Sequence, residues 1–140
     1  MLENFAQIRR SMRGDDLPGG LQELEDWTRA RSRDLEEALA ERKRGGHVRE
    51  CHGDMHLGNI AWVDGDVVIF DGIEFNPELC WIDTLSDLAF LLMDLEDRGH
   101  PRLSRRLLDR YLETAGDFPG LVLLTFYKVY RAMVRAKVTA

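Results

Sequence analysis

Cysteine is scarce in this chain: Cys51 and Cys80 are the only two among 140 residues. That is too few for a disulfide scaffold, so a reduced, cytoplasmic setting is expected. Long apolar runs are lacking too. Stretches such as Leu88 to Met93 are far too short to span a bilayer, which excludes a membrane protein of helical type. No secretion signal is read at the N-terminus, because Ile8-Arg9-Arg10 leads into polar sequence. The most informative absence is one of sign. Between Glu50 and Asp97 there is no Lys or Arg, whereas all 19 basic residues lie in the flanks. With 12 acids in the middle and 13 in the flanks, the middle carries −12 and the flanks +6, giving the net −6. That balance argues against a nucleic-acid partner.

What is present fits one folded unit over residues 1–140. At 44% apolar and 31% charged, the chain has enough apolar residues to bury roughly two-thirds of its unfolded surface. The acidic block is interleaved with Trp62, Val67 to Phe70, Trp81 and Leu88 to Leu92, so it must fold, and carboxylates gathered in a folded apolar segment suggest a cation site. Residues 21–44 read as an amphipathic helix on Leu21, Leu24, Trp27, Leu35 and Leu39, ended by Gly45-Gly46. Residues 1–13 read as helix, and 15–20 as a turn. His47 to Cys51 reads as a short extended piece. Ile60–Val63 and Val67–Phe70, separated by Asp64-Gly65-Asp66, predict a β-hairpin. An irregular stretch from Asp71 to Trp81 contains Pro77. Three helices follow: a buried one from Thr84 to Leu95 with Thr84-x-x-Asp87 as capping box, then Pro101 to Ala115, then Pro119 to Val138. The fold class is thus α+β and mainly helical, with one small hairpin near its centre.

The run His52-Gly53-Asp54-Met55-His56-Leu57-Gly58-Asn59, the hairpin, and then Asp71-Gly72 carry the chemistry. A three-residue hairpin loop pairs Val63 with Val67 and sets Asn59 directly opposite Asp71, with Cα atoms about 4.5–5.5 Å apart. Other registers shift this by one residue and keep both at the open end. A carboxamide and a carboxylate so placed can share one hard divalent cation such as Mg²⁺. Asp54, five residues before Asn59, resembles the Asp of a kinase catalytic loop, which is followed five residues later by a metal-binding Asn and after the next hairpin by a metal-binding Asp. That resemblance implies that Asp54 orients an acceptor hydroxyl and takes its proton during phosphoryl transfer. Blander readings exist for each: Asp54 as a loop or cap residue, Asn59 and Asp71 as hairpin ends, Asp87 as a helix cap. His52, Asp54 and His56 also permit a zinc site.

His52-Gly53-Asp54-x-His56-x-x-Asn59, then Asp71, then Asp87-Leu88-Ala89 resembles the aminoglycoside phosphotransferase and choline kinase-like superfamily. Phe70-Asp71-Gly72-Ile73-Glu74-Phe75-Asn76 and Trp81-Ile82-Asp83 resemble a bacterial subgroup of unassigned substrate. The resemblance is strong over residues 48–97 and loose beyond. It implies the C-terminal lobe of a protein kinase-like fold and transfer of a γ-phosphoryl group from ATP, or another nucleoside triphosphate, to a hydroxyl of a small molecule, with Mg²⁺. It further implies Asp54 as catalytic base, His52 as a brace of that loop, Asn59 and Asp71 as metal ligands, and Asp87 as a buried partner of the loop. One departure stands out. The residues before His52 read as helix and contain no Gly-rich loop after a strand, so the nucleotide-binding lobe is not in this chain and nucleotide-binding residues cannot be named. Activity of the chain alone is therefore not expected. A pseudokinase or binding module, and a metal-dependent hydrolase using His52, Asp54 and His56, are the alternatives. Exposed apolar surface where the second lobe docks makes self-association an expectation. Glu74, Glu78 and Asp83 are either the lining of a pocket for a cationic or polyol acceptor or solvated loop charge. Lys128, Arg131, Arg135 and Lys137 read as a solvated face, and Trp27, Trp62 and Trp81 as core or interface.

Overall fold

The computed structural model describes residues 2–11 and 20–139; the turn expected at 15–20 lies largely outside them. Among the described residues, seven α-helices and four short strands follow in the order α1 (Leu2–Ser11), α2 (Leu21–Asp34), α3 (Glu36–Arg44), β1 (Val48–Glu50), β2 (Ile60–Val63), β3 (Asp66–Ile69), α4 (Pro77–Cys80), β4 (Trp81–Asp83), α5 (Thr84–Asp97), α6 (Pro101–Ala115) and α7 (Leu121–Thr139). This is the mainly helical α+β architecture expected.

Helix α5 is the axis of the packing. Its Leu85, Leu88, Ala89 and Leu92 meet Leu123, Phe126 and Tyr127 of α7 and Leu35 of the α2–α3 junction in one buried cluster. Leu107, Leu108 and Tyr111 of α6 close its side. A second cluster joins Phe5 and Ile8 of α1 and Leu21 of α2 to Met133 of α7. The segment expected as a single helix over 21–44 breaks at Leu35, which takes φ −100° and ψ 3° while it remains buried in the main core. The expected capping box at Thr84 is not formed. Asp83 is the N-cap and accepts from the Leu85 amide at 2.9 Å, so Asp87 falls one turn inside the helix and is free for another task.

Two antiparallel strand pairs flank the site. β1 pairs with β4, Val48 with Asp83 and Glu50 with Trp81; the partner strand at 81–83 was not legible in the sequence pattern. β2 pairs with β3, Ile60 with Ile69 and Val63 with Asp66. The hairpin loop is therefore the two residues Asp64-Gly65, at φ 51° and 94°, the positive-φ pair that Asp-Gly hairpin turns favour. The three-residue loop expected is corrected by one position: Asn59 stands opposite Phe70, whose amide donates to the Asn59 carbonyl at 3.0 Å. Asp71 follows at φ 63°, a left-handed conformation uncommon for a residue with a Cβ. Trp62 and Trp81 are 73% and 54% exposed, so neither is core; Trp27 packs on Phe126 at 6.5 Å between rings.

Candidate active site

The loop from His52 to Asn59 is pinned from below by charges on two helices. Asp87 of α5 accepts from the backbone amides of His52 at 2.9 Å and Gly53 at 3.0 Å. From α7, the Arg131 guanidinium donates to the Gly53 carbonyl at 2.9 Å and to the Ser86 carbonyl at 3.0 Å. Two helical turns beyond Asp87, Asp94 is fully buried and accepts from the Leu57 amide at 2.9 Å. Hydrogen bonds to charged groups contribute about 1.5–3 kcal/mol each, so these contacts hold the loop firmly. Gly53 sits at φ 82°, and a Cβ there would lie 2.8 Å from the Leu79 carbonyl oxygen, so only glycine fits.

Within the loop the side chains converge on Asp54. The Asn59 amide nitrogen donates to the Asp54 carbonyl at 2.9 Å and to its carboxylate at 3.2 Å. The Gly58 amide donates to His56 Nδ1 at 3.0 Å. That nitrogen must then be the unprotonated one, and the neutral ring carries its hydrogen on Nε2, which lies 3.4 Å from the Asp54 carboxylate. His52 is set the same way. Its Nδ1 accepts from the Asp54 amide at 3.3 Å, leaving Nε2–H to donate to the Phe70 carbonyl at 2.8 Å. His52 therefore couples the loop that carries Asp54 to the residue before Asp71. Asp54 and Asp71 open onto one cavity of about 390 Å³.

A family model described as phosphotransferase enzyme family matches residues 2–122 of this chain. The chain belongs to that family. Relatives at 40% identity over 100 residues include an uncharacterized protein of Mycobacterium tuberculosis and one of Mycobacterium bovis. In each case the match covers 71% of this chain and 20% of the relative, so the chain spans about a fifth of the length of these relatives. No solved structure matches it.

In this phosphotransferase lobe the oxygen donors suit a hard cation. The Asn59 nitrogen is committed to Asp54, which leaves its carbonyl oxygen as the atom able to meet a metal. Asp71 is exposed, and among the described residues nothing donates to its carboxylate. The zinc alternative fares differently. Three of the four imidazole nitrogens face backbone groups and the fourth faces Asp54, and among the described residues no group of three His, Cys, Asp or Glu is placed to hold an ion. Cys51 offers no nucleophile, because burial, and then Asp87 and Asp83, push its thiol up to about 11.

Several expectations for charged residues are corrected. Arg131 is 4% exposed, Arg135 pairs with buried Asp94, and Lys128 pairs with Glu96 at 2.7 Å, so these are not a solvated face. Asp83 is neither solvated nor set in the site cavity beside Asp54: it is buried against Arg42 and Tyr127. Glu78 does line the site cavity. Sequence reasoning missed Asp94 and Arg131. Asp94 had a signal, an acid seven residues after Asp87 and hence on the same face of an otherwise apolar helix; Arg131 had none.

Proposed function

We propose that this lobe carries the acceptor-activating and metal-binding half of a site that transfers a phosphoryl group from a nucleoside triphosphate to a hydroxyl of a small molecule. The observation that supports this most is the Asp54 carboxylate, oriented by Asn59 and His56 and opening onto the cavity it shares with Asp71. Asp54 takes the proton of the acceptor hydroxyl as its oxygen bonds to phosphorus and the bond to the nucleoside diphosphate breaks. Asn59 and Asp71 are the residues that would hold Mg²⁺, which when bound offsets phosphate charge and aligns the transferring group. Asp87, Arg131 and His52 keep Asp54 and Asp71 in fixed relation. The lobe that covers the nucleotide would lie in sequence outside this chain, docked on the exposed apolar hairpin.

Calorimetric titration with Mg²⁺ and ATP tests this on the chain and on a form extended toward the N-terminus. Tight binding by the extended form is expected, with loss of binding on Asp71→Ala. Asp54→Asn is expected to keep binding and lose about 10²–10⁴-fold in transfer rate. Binding unaffected by Asp71→Ala, or none by either form, would favour a non-catalytic binding module.

A further inference from the structure

The cavity shared by Asp54 and Asp71 combines two carboxylates with an apolar wall. The wall is Ile73 and Leu79 from the segment after Asp71, Ile82 of β4, and Tyr130 and Val134 of α7. Phe75 extends it into solvent and is 84% exposed. The wall starts beside the base. The Ile73 amide donates to the His52 carbonyl at 2.9 Å. A Cβ on Gly53, the residue before Asp54, would lie 3.2 Å from Ile73 Cδ1. A ligand that sets a hydroxyl at Asp54 therefore lays its next atoms along apolar side chains.

Among the described residues, this wall offers few polar side chains to a ligand. Arg131 and Asn4 are buried, at 4% and 9% exposure. The Arg131 guanidinium is engaged by the Ser86 and Gly53 carbonyls, with Asp87 and Asp54 as counter-charges. Glu78 and Lys137 also line the cavity, and their charges are opposite. Asp71 is assigned to Mg²⁺ and Asp54 to the hydroxyl proton, so neither calls for charge on the rest of the ligand. A polyol laid on such a wall leaves its desolvated hydroxyls without partners, which is costly. A cation gains little from the two rings. Arg131 already lies 5.4 Å from the Tyr130 ring centroid, and Phe75 is open to water, where cation–π attraction is weak.

We propose that the acceptor is a neutral alcohol with an apolar body, its hydroxyl at Asp54 and its body along Ile73, Leu79 and Tyr130, with Phe75 over the outer end. The proposal rests on the phosphoryl-transfer reading for the hydroxyl. At about 390 Å³ the cavity stands near the lower end of ligand pockets, about 300–1,000 Å³, so the body is small.

Titration of the chain alone, without nucleotide or Mg²⁺, tests this by amide chemical-shift mapping, which reads weak binding and places it. The probes are 2-phenylethanol and the straight-chain alcohols from 1-propanol to 1-hexanol, with glycerol and myo-inositol as polyols, choline as a cation and D-glycerate as an anion. The Gly53 and Gly72 amides are expected to shift with 2-phenylethanol at concentrations about tenfold or more below those needed for a polyol, choline or D-glycerate. Along the straight-chain series the affinity should rise about threefold to fourfold per methylene until the cavity is filled. Phe75→Ser and Leu79→Ser change exposed side chains, so the melting temperature is kept, and each should weaken 2-phenylethanol about threefold or more. Preference for a polyol, choline or D-glycerate overturns the proposal. So do an affinity flat along the series, no binding of 2-phenylethanol, unchanged affinity in both variants, or shifts at the Trp62 indole as large as those at Gly53. Since nucleotide is left out, a negative result here leaves phosphoryl transfer standing, and a failed ATP titration leaves these outcomes readable.

Discussion

The two parts of the site are built in opposite ways. The Asp54 loop is gripped by Asp87, Asp94 and Arg131, all buried and all from helices of the core. The hairpin that leads to Asp71 has exposed apolar residues on both faces, with Trp62, Val67, Ile69 and Phe70 between 46% and 73% exposed. A two-stranded hairpin is at best marginally stable by itself, and this one is tied back chiefly through His52 and Phe70. On the function proposed above, the difference separates two tasks. A base must be held at one orientation within a fraction of an ångström, which buried charge-assisted hydrogen bonds do well. A surface that meets another lobe must keep its apolar groups open, which leaves it weakly anchored in the isolated chain.

The sharpest way to break the gripped half is from underneath. Arg42 of α3 pairs with buried Asp83 and, at 2.7 Å, with Asp117, and so joins α3 to the start of α5 and the turn before α7. Arg42→Ala leaves both carboxylates buried without the guanidinium they share, with an expected loss of about 3–5 kcal/mol in denaturant unfolding. The same pair predicts a pH dependence. The Arg42 hydrogen bonds hold the Asp117 carboxyl below the usual carboxylate range. Its contribution is therefore complete above the unfolded value, about 3.9, and is lost as pH falls through the lower folded one. Acid titration of stability should show this loss in the parent chain and a smaller one in Arg42→Ala.

A smaller effect is expected nearer the base. Gly53→Ala forces a Cβ against the Leu79 carbonyl at a positive φ, with about 1–2 kcal/mol for the backbone alone and more for the contact. Circular dichroism melts should show a lowered midpoint. Smallest of all is the open half. Trp62→Ser in this chain should change stability by no more than about 0.5 kcal/mol, while light scattering records less self-association. A large loss of stability on Trp62→Ser would show that the hairpin is integral to the core and erase the contrast between the two halves.

Much of this was legible in the sequence. The helix ends at Pro101 and Gly116, the Asp-Gly hairpin, and the spacing of Asp54, Asn59 and Asp71 all follow from local backbone preferences and short-range register. Even the mistaken loop length moved Asn59 by only one position, because both candidate turns leave it at the same end of the hairpin. Asp87 was harder. Its sequence context fits a cap, and only the observed cap at Asp83 frees it to hold the loop.

What the sequence determined by itself is the mainly helical lobe and the order of its chemical groups, since helical period, turn residues and motif spacing act over a few residues. What only the tertiary structure decided is which charges are buried and whom they serve. Arg131 and the Gly53 carbonyl are 78 residues apart, and Arg42 and Asp117 are 75 apart. A charge on a helix reads as solvated until another segment covers it.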